Sequence, residues 1–193
     1  ARRLAPLDGQ GGVELLPVFR SHIYDELSAD RREQLHLEAA ESRATHGQYT
    51  AAAYHFWRGN RNAKAIQVWY PHQRTELLRG QADAAFAVFG KISQHGLSKS
   101  DGKALALIQA ELYKLQGELA QGRAILEAQD WSKDSESSVR ARTLQGQFLD
   151  ALGFPDAAHR SYGEGLATAT RLLGQLVTLH RQRGLLHVRQ KEM

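Results

Sequence analysis

The sequence has no cysteine, only four prolines, and a single methionine, Met193, at its last position. Without cysteine there is no disulfide, no thiolate nucleophile and no Cys-ligated zinc or iron–sulfur centre. No apolar run approaches the roughly 18 residues that a membrane-spanning helix needs, so no membrane association is expected and a cytoplasmic location is. Charge of one sign is not in excess either. The 25 Lys and Arg are interspersed with 21 Asp and Glu, for a net +4. A clustered basic stripe is the usual footprint of nucleic-acid binding, and its lack argues against direct nucleic-acid contact. Alternating β-branched runs are almost missing, with Val13–Val18 the one short strand candidate. What remains is rich in Ala, Leu, Gln, Glu and Arg, the strong helix formers, and an almost all-α chain follows. A chain of 193 residues suits one medium-sized domain or a repeat array. Its start at Ala1 reads as a piece cut from a longer protein or as a processed chain.

The chain carries an internal period. Gly47, Gly80, Gly117 and Gly153 stand 33, 37 and 36 residues apart, each between Ala-rich apolar stretches. A small residue follows each break, with a large apolar one four positions later: Ala52/Phe56, Ala85/Phe89, Gly122/Leu126 and Ala158/Tyr162. Such a pattern describes a helical hairpin. Glycine ends the first helix in the left-handed conformation. The small residue then lets the second helix approach, and the large one fills the next gap. A single hairpin cannot bury its own apolar face, so neighbours must stack. The spacing predicts helices near 19–27, 30–46, 49–59, 61–79, 82–94, 102–116, 119–129, 136–151, 155–169 and 172–190. Ser28 and Asp30 are placed to cap the second and Ser135 the eighth. Pro71 falls inside the fourth, where an interior proline kinks or breaks a helix.

The stretches Leu152-Gly153-Phe154-Pro155-Asp156-Ala157-Ala158-His159-Arg160-Ser161-Tyr162 and Gly47-Gln48-Tyr49-Thr50-Ala51-Ala52-Ala53-Tyr54-His55-Phe56 resemble the tetratricopeptide repeat (TPR). That resemblance implies a right-handed superhelix of helical hairpins. A second resemblance lies further upstream, in Arg20, Tyr24, Leu27, Ser28, Arg32, Leu35, His36, Ala39 and Ala40, continued by Ala52-Ala53-Tyr54-His55-Phe56, Gly59-Asn60 and Lys64-Ala65. This run is similar to one found in the STAND class of signalling ATPases, including the MalT/LuxR-type transcription regulators. There it joins a winged-helix module to a helical sensor arm. The resemblance implies that residues 1–28 are the tail of a winged-helix-like module or a linker. Residues 29–193 would be a repeat domain cut off at its C-terminal end. It also implies a sensor or interaction arm within a larger regulator. The alternative is a free-standing tetratricopeptide adaptor for a protein or peptide.

Enzymatic chemistry finds no foothold in the sequence. Gly90-Lys91 lacks the upstream Gly and following Ser or Thr of a phosphate loop, and Gly9-Gln10-Gly11-Gly12 precedes rather than follows a strand candidate. None of the nine His forms an i, i+4 pair, and there is no His-Glu-x-x-His, so metal and other cofactors are not expected. No Gly-x-Ser-x-Gly is present. His36 and His55 fall on Ala-rich helices that should pack together, as hydrogen-bonded partly buried groups. The basic cluster Arg181, Arg183, Arg189 and Lys191 is the best nucleic-acid candidate, but with no basic stripe beside it the reading favoured is a solvated helix face. Trp57, Trp69 and Trp131 read as core or edge anchors.

The functional surface left is the groove between stacked hairpins, lined by the first helix of each. The register set by the four turns directs Gln34, Glu41, Gln67, Tyr70, Arg74, Glu111, Lys114, Arg140, Gln147 and Asp150 inward. This mixed polar set suits hydrogen bonding to a protein, a peptide or a small inducer molecule. Exposed ends of a cut solenoid also offer a route to self-association.

Overall fold

The structure, a computed structural model, describes residues 17–131, 135–169 and 178–185. The first helices are α1 (Pro17–Glu26), α2 (Ala29–Thr45), α3 (Tyr49–Arg58) and α4 (Asn62–Trp69). After α4, one 3-10 turn (Tyr70–His72) leads into α5 (Gln73–Leu78). Then come α6 (Ala82–Phe89), α7 (Lys99–Leu115), α8 (Leu119–Glu127), α9 (Ser135–Ala151), α10 (Pro155–Thr168) and α11 (178–185). No strand occurs among the described residues. Pro17 and Val18, the end of the strand candidate, open helix α1, and residues 13–16 lie outside the described residues. The winged-helix boundary at 1–28 falls largely outside them as well.

The period is realised as helix-ending turns of one kind. At Gly47 φ is +68°; its N–H donates to Ala44 O at 3.0 Å, and Gln48 N–H donates to Arg43 O at 3.0 Å. This paired six-to-one and five-to-two bonding is the Schellman stop, and it needs the left-handed residue. The same pair of bonds recurs at Gly80, Gly117 and Gly153. Asn60, at φ 55°, makes a fifth such turn between α3 and α4. Asparagine is among the few non-glycine residues that visit this region readily.

Each predicted pair of small and large residues is buried. Ala52, Ala85, Ala158, Phe89, Leu126 and Tyr162 are fully enclosed, and Phe56 nearly so. α2 packs on α3, α3 on α4, α7 on α8 and α9 on α10. α4 also meets α7, and α7 meets α9, so the first helices of successive hairpins lie side by side. α7 is the central brace: Leu105, Ile108 and Leu112 enter one core with Trp69 and Phe89, while Ala106, Leu107 and Ala110 enter the next with Leu126 and Phe148. A third cluster joins Val139, Ala158, Tyr162 and Leu179. The chain is therefore an all-α solenoid of stacked hairpins, preceded by the non-repeat helix α1.

Three boundaries differ from the spacing. The helix expected over 61–79 is split at Pro71, whose missing N–H and ring break the ladder into a 3-10 turn. The helix expected to reach 94 stops at Phe89, followed by a turn at Gly90 and Lys91. α7 starts three residues earlier than expected, because Ser98 caps it by accepting from Asp101 N–H at 3.1 Å. Ser28 caps α2 as expected, accepting from Arg31 N–H at 3.2 Å. Only 178–185 of the last predicted helix falls among the described residues.

Candidate partner-binding groove

Three first helices present one stripe each to a common groove of about 950 Å³. Tyr70, Arg74 and Leu77 come from the 3-10 turn and α5; Glu111, Lys114 and Leu115 from α7; Arg140, Thr143 and Gln147 from α9. In each set the other two residues follow the first by three, four or seven positions, which puts the side chains on one helical face. Thr178 of α11 also lines the groove. A volume near the top of the roughly 300–1,000 Å³ range of ligand clefts suits a side-chain-bearing segment rather than an ion.

The polar groups of the groove are arranged by one another. Lys114 Nζ lies 2.6 Å from Glu111 Oε1 and donates to Gln147 Oε1 at 2.9 Å. The Arg140 guanidinium sits 5.0 Å over the Tyr70 ring and donates from Nη2 to Gln73 Oε1. Gln73 is 2 % exposed, and its Nε2 donor has no acceptor among the described residues. A buried donor without a partner costs about 1–3 kcal/mol, so an acceptor brought by a ligand finds a favourable position there. Arg74 is exposed and carries no ion pair among the described residues. Beside these polar groups the groove wall is aliphatic: Leu77, Leu78, Leu115, Val139 and Leu144. Leu78 is 80 % exposed and Leu115 53 %, and both line this groove.

Of the ten residues that the register directs inward, six line this groove: Tyr70, Arg74, Glu111, Lys114, Arg140 and Gln147. The other four stand elsewhere. Gln34 bonds along α2 to Arg31 and Glu38, and Glu41 is exposed on the same helix. Gln67 donates to Asp101 Oδ1 at 3.0 Å, and Asp150 is half-buried near the end of α9. Gln73 and the leucines are groove residues that sequence reasoning missed. Gln73 follows Tyr70 by three and Leu77 follows Arg74 by three, so the stripe was visible in principle. The break at Pro71 hid which face it belonged to.

A second cluster of titratable groups lies between α1, α2 and α3. Arg58 Nη2 donates to the Tyr24 hydroxyl at 3.0 Å, Tyr24 Oη is 2.9 Å from His36 Nε2, and His36 Nδ1 is 2.9 Å from His55 Nδ1. Burial, then the nearby Arg58 charge, holds His36 below the usual histidine range. Burial, then His36, Arg43 and Arg58, does the same to His55. The hydrogen bond to Tyr24 is the main cause of the raised Arg58 value. Among the described residues no group of three His, Asp or Glu is placed to hold a metal ion.

Trp69 and Trp131 are anchors. Trp69 Nε1 donates to Thr50 Oγ1 at 2.9 Å and Trp131 Nε1 to Leu126 O at 2.8 Å. Trp57 is half-buried under Lys91 Nζ, 5.3 Å from its ring. Arg181 and Arg183 are exposed on α11, while Arg189 and Lys191 lie outside the described residues. No described helix is long and apolar enough to cross a membrane.

No protein-family model matches the chain, and no curated protein matches it. Among solved structures, a thermophilic TPR protein from Thermus thermophilus is similar at 19 % identity and a TM-score of 0.37. The likeness spans 78 % of this chain and 98 % of that one. The repeat architecture stands on this chain's own turns and interhelical contacts.

Proposed function

We propose that this chain is a binding segment whose groove between first helices takes a protein or peptide partner. The observation that carries this reading is the pair of exposed leucines, Leu78 and Leu115, on the same groove wall as the buried, unsatisfied Gln73 donor. Both features are costly in isolation and are relieved together by a partner that brings an apolar side chain and an acceptor. A photoreactive residue at position 78 or 115 of the full-length protein is expected to crosslink to a discrete partner in its host cell. One at position 160, on the exposed side of α10, is not. Equal crosslinking from all three positions sinks the groove as the binding face.

The finer reading is a sensor arm of a STAND-type signalling regulator. It is supported by the fingerprint residues working on one another. Tyr24 meets His36, Arg32 Nε donates to Leu27 O at 2.9 Å, Ser28 caps α2, and Ala40 is fully buried against the next helix. A phosphate-loop motif encoded upstream in the full-length gene is the expected finding. A gene holding only further repeats would instead make the protein a free-standing adaptor. In either setting a small inducer is a second class of occupant for the same groove.

A further inference from the structure

The occupant's chemistry follows from what the groove leaves uncompensated, given the reading that the groove is the binding face. Among its described lining residues the cations are Arg74, Lys114 and Arg140, and the only anion is Glu111. Glu111 is taken up by Lys114 at 2.6 Å. Two guanidinium groups, Arg74 and Arg140, therefore remain without a carboxylate in the groove. Next to Arg74 in sequence stands Gln73, whose oxygen is held by Arg140 while its nitrogen is an unused donor. Guanidinium and amide donors together select a carboxylate or another oxygen-rich group. In the same groove Leu78, four residues after Arg74 on α5, and Leu115 of α7 offer apolar surface that water covers poorly.

We infer that the groove takes an acidic segment of a partner protein, with a carboxylate against Arg74 and Arg140 and a neighbouring aliphatic or aromatic side chain on Leu78 and Leu115. Charge complementarity sets the first half and the exposed leucines the second. A nucleic-acid occupant suits the groove less well. Stacking platforms are needed for bases, and the face of Tyr70, the aromatic residue of the groove lining, is already covered by Arg140.

The test is a selection from a random-peptide library displayed on phage, run on the wild-type chain, on Arg74→Gln, and on Leu78→Ser/Leu115→Ser. All three altered side chains are exposed, so the fold is expected to survive, and circular dichroism checks it. The expected result is enrichment of peptides that pair Asp or Glu with a bulky apolar residue. Their binding should fall about tenfold on Arg74→Gln, the loss of one charge-assisted contact, and weaken with added salt. It should be abolished on the double Leu variant. Peptides lacking acidic residues that ignore Arg74→Gln but are lost on the Leu variant overturn the acidic assignment and leave the groove standing. No enrichment, or peptides that bind all three proteins equally, overturns the groove reading as well. Tighter binding of single-stranded poly-U than of any selected peptide replaces the protein partner with RNA and overturns the inference.

Discussion

The ring of Tyr162 on α10 occupies the space where a side chain at position 146 of α9 would begin. A Cβ added to Gly146 overlaps Tyr162 Cε1, Cδ1 and Cζ. Tyr162 is fully buried, so it has no open direction in which to yield. The α9–α10 hairpin therefore depends on the lack of one carbon. Gly122 stands in the same relation to Phe148. Gly146→Ala is expected to destabilise the chain by about 1–3 kcal/mol through overpacking. Gly163 on α10 has open space around it, so Gly163→Ala should stabilise by roughly 0.5–1 kcal/mol. Urea midpoints measure both, and a stabilising Gly146→Ala would show that the contact has room to give.

Thr50 ties three elements together. Its hydroxyl donates to Glu76 Oε2 at 2.7 Å and accepts from Trp69 Nε1 at 2.9 Å, while its N–H donates to the same carboxylate at 2.9 Å. Glu76 is 2 % exposed and also accepts from Arg79 at 2.9 Å. Thr50→Val keeps the shape but orphans the indole donor and removes one bond from a buried charge. The expected loss is roughly 2–4 kcal/mol. Trp69→Phe should cost less in the Thr50→Val background than in the wild type, and additive losses would separate the two residues.

The Tyr24–His36–His55 chain makes the N-terminal hairpin acid-sensitive. A single proton fits between the two Nδ1 atoms, so protonating both rings breaks their bond. Both histidines have folded-state values below the 6.5 of the free side chain. The unfolded chain then binds more protons in the window just below that value, and stability rises with pH there. Their stabilisation is fully present above about pH 6.5 and is lost as pH falls through the unfolded value toward the depressed folded ones. Melting temperatures at pH 5 and pH 8 should differ more for the wild type than for His55→Asn. An unchanged pH dependence in the variant would remove this pair as the cause.

The turns invite a backbone test. Gly80 has φ +75° and nothing within 4 Å of an added Cβ, so the cost of Gly80→Ala is conformational only, about 1–2 kcal/mol. Asn60→Gly should be close to neutral, since asparagine already tolerates its φ of 55°. Thermal melts of the two variants check this, and an unperturbed Gly80→Ala would mean that the turn relaxes out of the left-handed region.

Turn chemistry and period were legible because they are local. A glycine every 33 to 37 residues, followed by a small residue and a large one four later, specified which segments pair and which side chains enter the core. Ser28 marks where α2 begins, whereas Ser98 caps α7 three residues before the spacing would start it. Six groove residues followed from the register. Gln73 did not, because the break at Pro71 hides its face; Leu78 and Leu115 did not, because an apolar side chain beside a turn reads as core until the neighbouring helix is seen not to cover it.

Composition and spacing alone specified the all-α hairpins, their Schellman stops and the small-to-large contacts, all of which depend on separations within one or two turns of chain. Tertiary structure decided the His36–His55 contact, the burial of Glu76 beneath Thr50, and which donors of each first helix meet in the groove. Those features arise where segments 19 to 67 residues apart are brought together. Over such separations sequence periodicity carries no information about which side chains meet, or which donors and leucines are left for a partner to cover.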